Sequence, residues 1–282
     1  MFEWESYICK KCIQSTRSIH KTLRYFLHIG FNGFQYRGWQ RLPGIISVQQ
    51  VIEEALTAIL KQPIEIVGCG RTDAQVNASQ YFFHMDVADP WDFDLMYRLN
   101  KRLPPDISIY DIFTMHGLPH ARFDAISRSY DYLMHSYKDP YLHPISSLYN
   151  LAELDVDLMQ QAVAILPRYN DYYALCKKPN KNDHTICNVS EAWLLTDDKR
   201  ERMQFHISSN RFLGGMIRII VHKLLEIGQK KLTVEAFETI LADKKTPSSI
   251  KSALPQGLHL SKVTYPYLDI PTRSQFMTFL EK

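Results

Sequence analysis

Residues 71–73 hold the side chains best placed to do chemistry. Gly68-Cys69-Gly70-Arg71-Thr72-Asp73 follows the strand-like Ile64-Glu65-Ile66 and precedes the aromatic, β-rich residues 79–85. A glycine-bearing connection between two strands is a common place for binding and catalytic groups, because the backbone there is adaptable and polar side chains are exposed. If this backbone is extended, side chains two apart leave the same face, and the Arg71 guanidinium can pair with the Asp73 carboxylate. Such a pair keeps a carboxylate ionised and fixes its rotamer, as a nucleophile at neutral pH requires. The same spacing also describes an ordinary loop ion pair contributing roughly 0–1 kcal/mol, and by itself it favours that plainer reading.

The elements that must position this loop can be read from period and punctuation. Leu23-Arg24-Tyr25-Phe26-Leu27-His28-Ile29 reads as a buried strand ended by the turn formers of residues 30–38. Ser47 with Gln50 has the form of a capping box, and Val48, Val51, Ile52, Ala55, Leu56 and Ile59 recur at helical spacing up to about Lys61, before Pro63. Asp92 is expected to cap a second helix with Leu95, Met96 and Leu99 inward, stopped at Leu103-Pro104-Pro105 and followed by a strand over residues 107–113. Strand, helix, strand, strand, helix, strand is the order of a ferredoxin-like unit.

Downstream, strands are expected over residues 127–136, 189–196, 203–208 and 258–263, and helices over 155–166, 211–227 and after Thr233. The helix over 211–227 is expected to be the longest. On it Arg211, Gly215, Arg218 and His222 form a narrow polar stripe beside a wide apolar face. Tyr130 and Tyr132 fall on one side of a strand, where alternation alone makes both core residues. Lys177-Lys178-Pro179-Asn180-Lys181 is a basic loop equally suited to phosphate contacts and to simple solvation.

The literal strings add more than the spacing. Gly70-Arg71-Thr72-Asp73-Ala74 resembles the signature of the TruA family of tRNA pseudouridine synthases, and Gly33-Phe34-Gln35-Tyr36-Arg37-Gly38-Trp39-Gln40 resembles that family's glycine- and tryptophan-containing segment. Asn100 with Leu103-Pro104, then His120-Ala121-Arg122-Phe123-Asp124-Ala125, then Met216-Ile217-Arg218 follow in the family's order, so the likeness runs from about residue 22 to the end. The resemblance implies an α+β fold of two ferredoxin-like halves sharing a central antiparallel sheet with a cleft between them. Residues 1–21 would be an extension, 22–115 the half carrying the catalytic loop, and 116–282 the second half.

It further implies isomerisation of uridine to pseudouridine in the anticodon arm of tRNA, without metal or cofactor, by a cytoplasmic homodimer. Asp73 would be the nucleophile, with Arg71 and Tyr130 as its catalytic companions. Arg218 would help hold the catalytic aspartate or a substrate phosphate, and with it Tyr36, Arg122, Lys177 and Lys178 would bind substrate. The chain departs from the family where Gly-Val-His usually follows the signature and Gln75-Val76-Asn77 stands instead, and where Cys187 lies near the place of an arginine. A positive φ at position 75 would make glutamine cost about 1 kcal/mol or more. An altered RNA substrate, or a non-catalytic RNA-binding protein on the same fold, are the other readings these departures allow.

Composition sets the outer limits. With 282 residues, 45% of them hydrophobic, the chain can bury a sizeable interior in one or two domains. A net charge of +3 permits a nucleic-acid partner without arguing for one, so any RNA site must come from local clustering of basic residues. Five cysteines do not resemble a secreted disulfide framework, and Cys9-x-x-Cys12 lacks the second pair that a zinc site needs. Glu3 and Glu5, with no apolar core after them, argue against a signal peptide, and no apolar run reaches membrane length.

Overall fold

In the computed structural model, the structure describes residues 22–150, 153–244 and 250–273. Cys9 and Cys12, and the expected N-terminal extension, lie outside the described residues. Strand β1 (Leu23–Phe31), helix α1 (Val48–Leu60), strands β2 (Ile66–Gly68) and β3 (Asn77–Val87), helix α2 (Leu95–Arg102) and strand β4 (Ile107–Met115) form the first unit. The second contains β5 (Ser127–His135), the short β6 (Ser147–Leu148), α3 (Val156–Ile165), β7 (Val189–Thr196), β8 (Arg202–Ser209), α4 (Met216–Gly228), α5 (Val234–Asp243) and β9 (Leu258–Thr264).

All the strands among the described residues belong to one nine-stranded sheet, in the order β4-β1-β3-β9-β5-β8-β7, with β2 paired to β3 and β6 to β5. The main strands of each unit thus take a 4-1-3-2 order, so the ferredoxin-like arrangement read from residues 23–113 occurs twice. Pairing among these strands is antiparallel within each unit, but the seam is a parallel contact of two residue pairs, Asn77 with His259 and Ala78 with Leu260. So short a ladder needs reinforcement. Gln80 supplies it: its Oε1 accepts from the Val263 amide at 2.9 Å and its Nε2 donates to the Ile270 carbonyl at 3.1 Å.

Two apolar cores flank the seam. Phe26, Leu27, Ile52, Leu56, Phe83 and Leu99 belong to one, and Tyr132, Met159, Phe205, Ile220, Leu224 and Phe237 to the other. Tyr132 is a core residue, as alternation implies, whereas Tyr130 is only partly buried and packs against both cores.

The local stops also have physical causes. Ser47 caps α1 by accepting from the Gln50 amide, but the Gln50 side chain turns outward to Glu54, so the reciprocal half of a capping box is not made. Asp94, not Asp92, caps α2, accepting from the Tyr97 amide at 2.9 Å. Helix α4 begins at Met216, five residues later than the apolar period indicates, because Gly215 adopts φ +75° at the N-cap. Its thirteen residues equal those of α1, so it is not the longest helix. No helix among the described residues is long and apolar enough to cross a membrane.

Candidate active site

The seam opens into a cleft of about 800 Å³. Its walls are the loop of residues 69–76, the segment 122–125, the start of β5, and residues 210–218 leading into α4, with Leu258 at the start of β9. Arg71, Asp73, Tyr130, Arg122 and Arg218, separated by up to 147 positions in sequence, all line it. Five arginines and two aspartates face this space, a local excess of positive charge that the net +3 of the whole chain conceals.

The expected partner of Asp73 is corrected by the geometry. Residues 71–73 are not in a strand, and a turn closes immediately after them, with the Val76 amide donating to the Asp73 carbonyl at 3.2 Å. Two-residue alternation therefore does not apply. The Asp73 carboxylate instead meets Arg218, whose Nη1 donates to Oδ2 at 3.1 Å. Arg218 sits in the first turn of α4 and is anchored through its Nε on the Ala253 carbonyl at 2.7 Å. The guanidinium is mostly buried while half of the carboxylate surface remains open, so the pair holds Asp73 while leaving it reachable. The α4 N-terminus adds a favourable field for an anion.

The loop beneath Asp73 is held by the segment containing residues 33–40, which explains why two distant motifs occur in one chain. Gly38, at φ +94°, lies so close that a Cβ would come within 2.4 Å of the Thr72 carbonyl oxygen, and at Gly33 a Cβ would come within 1.9 Å of the Val76 carbonyl oxygen. The Gln75 amide donates to the Tyr36 carbonyl at 3.0 Å. Trp39 stacks on Tyr81 with ring centroids 4.1 Å apart, and the Tyr81 hydroxyl donates to the Gly70 carbonyl at 2.5 Å.

Tyr36 itself does not reach the cleft, contrary to the substrate-binding expectation. It is buried, and its hydroxyl donates to Asp106 at 2.8 Å, with burial raising its pKa. Lys177 and Lys178 are exposed but do not line the cleft. The Lys177 amide donates to the Gly214 carbonyl, and its aliphatic stem lies against Gly215.

Among the departures from the family pattern, Gln75 has φ +64°, the left-handed conformation in which glutamine is strained. Asn77 and Cys187 are buried and do not line the cleft. Asn77 accepts from the Gly33 amide at 2.7 Å and donates to the carbonyls of Gln256 at 2.8 Å and Pro144 at 3.3 Å, linking both sides of the seam. Burial pushes the Cys187 thiol up to about 11, so it remains an inert core group.

Tyr130 lines the cleft, packed edge-on against Phe212 at 5.1 Å, and burial raises its phenol pKa. The residue that the sequence reading missed is Arg128. Its Nη2 donates to the carbonyls of Cys69 at 2.7 Å and Arg122 at 2.8 Å, and its Nη1 to Ala125 at 3.4 Å, fastening the Asp73 loop to the 122–125 wall. Its visible signal is a charged residue near the start of a strand that runs into the core.

A family model described as tRNA pseudouridine synthase matches residues 169–266. The chain is 38% identical over 248 residues to the tRNA pseudouridine synthase A of Porphyromonas gingivalis, covering 86% of this chain and 97% of that protein. It is likewise 38% identical to that of Parabacteroides distasonis, and 31% identical over 246 residues to that of Streptococcus gordonii, with 96% and 98% of those proteins covered. A two-unit α+β sheet with a basic, carboxylate-bearing cleft at its seam is in this case the scaffold of an RNA-modifying isomerase. The chain belongs to the TruA family of tRNA pseudouridine synthases.

Proposed function

We propose that the chain isomerises uridine to pseudouridine in the anticodon arm of tRNA, with Asp73 as nucleophile. The observation that carries this reading is the Asp73–Arg218 pair at the foot of an arginine-rich cleft: one carboxylate, fixed from behind and open in front. The reaction breaks the bond from ribose C1′ to base N1, turns the uracil, and joins C1′ to C5. The hydrogen leaves C5 as a proton and N1 gains one. Attack at C6 of the base or on the sugar both require an ionised and unobstructed carboxylate.

Tyr130 is the group on which the detached uracil stacks, a contact contributing about 1–3 kcal/mol. Arg71 and Arg122 offer planar forks to phosphate oxygens or displaced bases, while Lys177 and Lys178 add positive potential outside the cleft. Base flipping brings the uridine to Asp73, because its reacting atoms are inaccessible in a stacked stem. We assign the protein to the cytoplasm and to a homodimer on the strength of its family likeness.

The test is tritium release from tRNA labelled at uridine C5. Wild type is expected to release label and Asp73→Ala to release none while binding RNA with nearly unchanged affinity. Wild type that binds tRNA but releases nothing would move the assignment to a non-catalytic RNA-binding protein.

A further inference from the structure

Phe123 is among the most exposed large apolar side chains among the described residues, with 73% of its surface accessible, yet it lines the cleft. Isolated apolar groups at a surface need no explanation, but this one stands on a turn whose backbone is fixed by polar contacts. The Nδ1 atom of His120 accepts from the amides of both Arg122 and Phe123, at 3.1 and 3.2 Å. Asp124 Oδ2 accepts from the His120 amide at 2.7 Å and from the Tyr267 hydroxyl at 3.2 Å.

The neighbouring backbone is fixed equally well. The Ala121 amide donates to His84 Nδ1 at 3.1 Å, and the Ala121 carbonyl accepts from the Tyr265 hydroxyl at 2.6 Å. Arg128 then ties this segment to the Asp73 loop. The ring is thus presented by a rigid turn whose position is fixed relative to the nucleophile. The His120 ring lies tilted beside it at 4.3 Å, and the Arg122 guanidinium stands 5.6 Å from its centroid.

An exposed aromatic ring with a guanidinium 5.6 Å over it can take an unpaired base, π-face to π-face, as the long arginine side chain moves to the adjoining phosphate. Because the turn is already ordered, little conformational entropy is lost when the base stacks. We infer that Phe123 forms a second base subsite, holding by stacking an unpaired nucleotide adjacent to the reacting uridine. This rests on the RNA-modifying reading above and adds a contact that positions the strand without reading base identity.

The test uses the full chain carrying Asp73→Ala, with an anticodon stem-loop RNA in which 2-aminopurine replaces, one at a time, each unpaired loop base flanking the target uridine. Quenching of 2-aminopurine fluorescence on binding is expected at one flanking position. Phe123→Leu, which keeps apolar bulk but has no π-face, should abolish that quenching and weaken binding roughly 5- to 150-fold, while Phe123→Trp should retain both. In an otherwise wild-type chain, Phe123→Leu should raise KM with a smaller effect on kcat. Equal quenching and affinity in Phe123→Leu and its parent would overturn the subsite while leaving the isomerase reading intact. Absence of tritium release by wild type would instead overturn the isomerase reading, and the subsite with it.

Discussion

At the scale of single residues, the site depends on how Arg218 divides its donors. One nitrogen is committed to the Ala253 carbonyl and another reaches Asp73, so the guanidinium behaves as a bracket with two fixed ends. Lysine, with a single ammonium on a flexible stem, cannot reproduce both directions. Arg218→Lys is expected to lower kcat on the order of 100-fold through misplacement of the carboxylate, with a small change in tRNA affinity. Steady-state kinetics beside a filter-binding measurement checks this; an equal loss in both would mean that Arg218 serves mainly to bind RNA. Asn77 has a different kind of importance. Asn77→Ala leaves the buried Gly33 amide without an acceptor and severs two links across the seam, and should destabilise the fold by about 1–3 kcal/mol in urea unfolding. Gln75→Gly removes left-handed strain and should stabilise by roughly 0.5–1 kcal/mol in the same urea measurement.

At the scale of elements, the catalytic loop has its shape because the 33–40 segment is pressed against it with no room for a side chain. Gly38→Ala would place a methyl group 2.4 Å from a backbone oxygen in a conformation that L-residues rarely adopt. The expected result is a stability loss of about 1–3 kcal/mol and a much larger loss of activity, since the displaced atoms belong to the Asp73 loop. Circular dichroism melts run beside the tritium assay separate the two effects. These elements were also where the sequence was most and least informative. Strands and helices with strong period, such as β1 and α1, were legible because packing and propensity agree there. The start of α4 was not, because Phe212 and Leu213 continue the helical period while Gly214 and Gly215 interrupt the backbone. The Arg71–Asp73 pairing failed for a related reason: alternation describes strands, and the turn closed by Val76 removes residues 71–73 from that rule. Arg218 as the partner of Asp73 is a contact across 145 positions, which no local pattern in this sequence encodes and to which only the family resemblance points.

At the scale of the whole molecule, the tight seam and its covering segments bury histidines that must remain neutral, and this gives the protein a defined pH response. His84, 5% exposed, accepts the Ala121 amide at Nδ1 and so cannot carry a proton there; burial, reinforced by Arg24 and His120, pushes its pKa down to about 4. His259, 3% exposed, donates Nε2 to the Ile145 carbonyl at 2.7 Å, and burial likewise lowers it to about 4. In the unfolded chain both titrate near 6.5. Between about pH 6.5 and 4 the unfolded state therefore binds protons that the folded state refuses. The stability these groups contribute is complete above pH 6.5 and is lost as pH falls, with a slope of up to about 1.4 kcal/mol per pH unit for each. The shifted aspartates cannot mimic this decline above pH 5, because Asp131 and Asp171 are lowered and release their contribution only below the ordinary carboxylate range. Urea midpoints measured from pH 7.5 to 5 should fall steadily below 6.5. In His84→Asn with His259→Gln the amide oxygen and nitrogen reproduce the accepting Nδ1 and donating Nε2 without titrating, so that double variant should show a flatter profile, the remaining slope coming from His28, His120, His135 and His222, which burial also lowers. An unchanged slope in the double variant would assign the acid sensitivity to other groups and leave these two histidines as neutral packing residues.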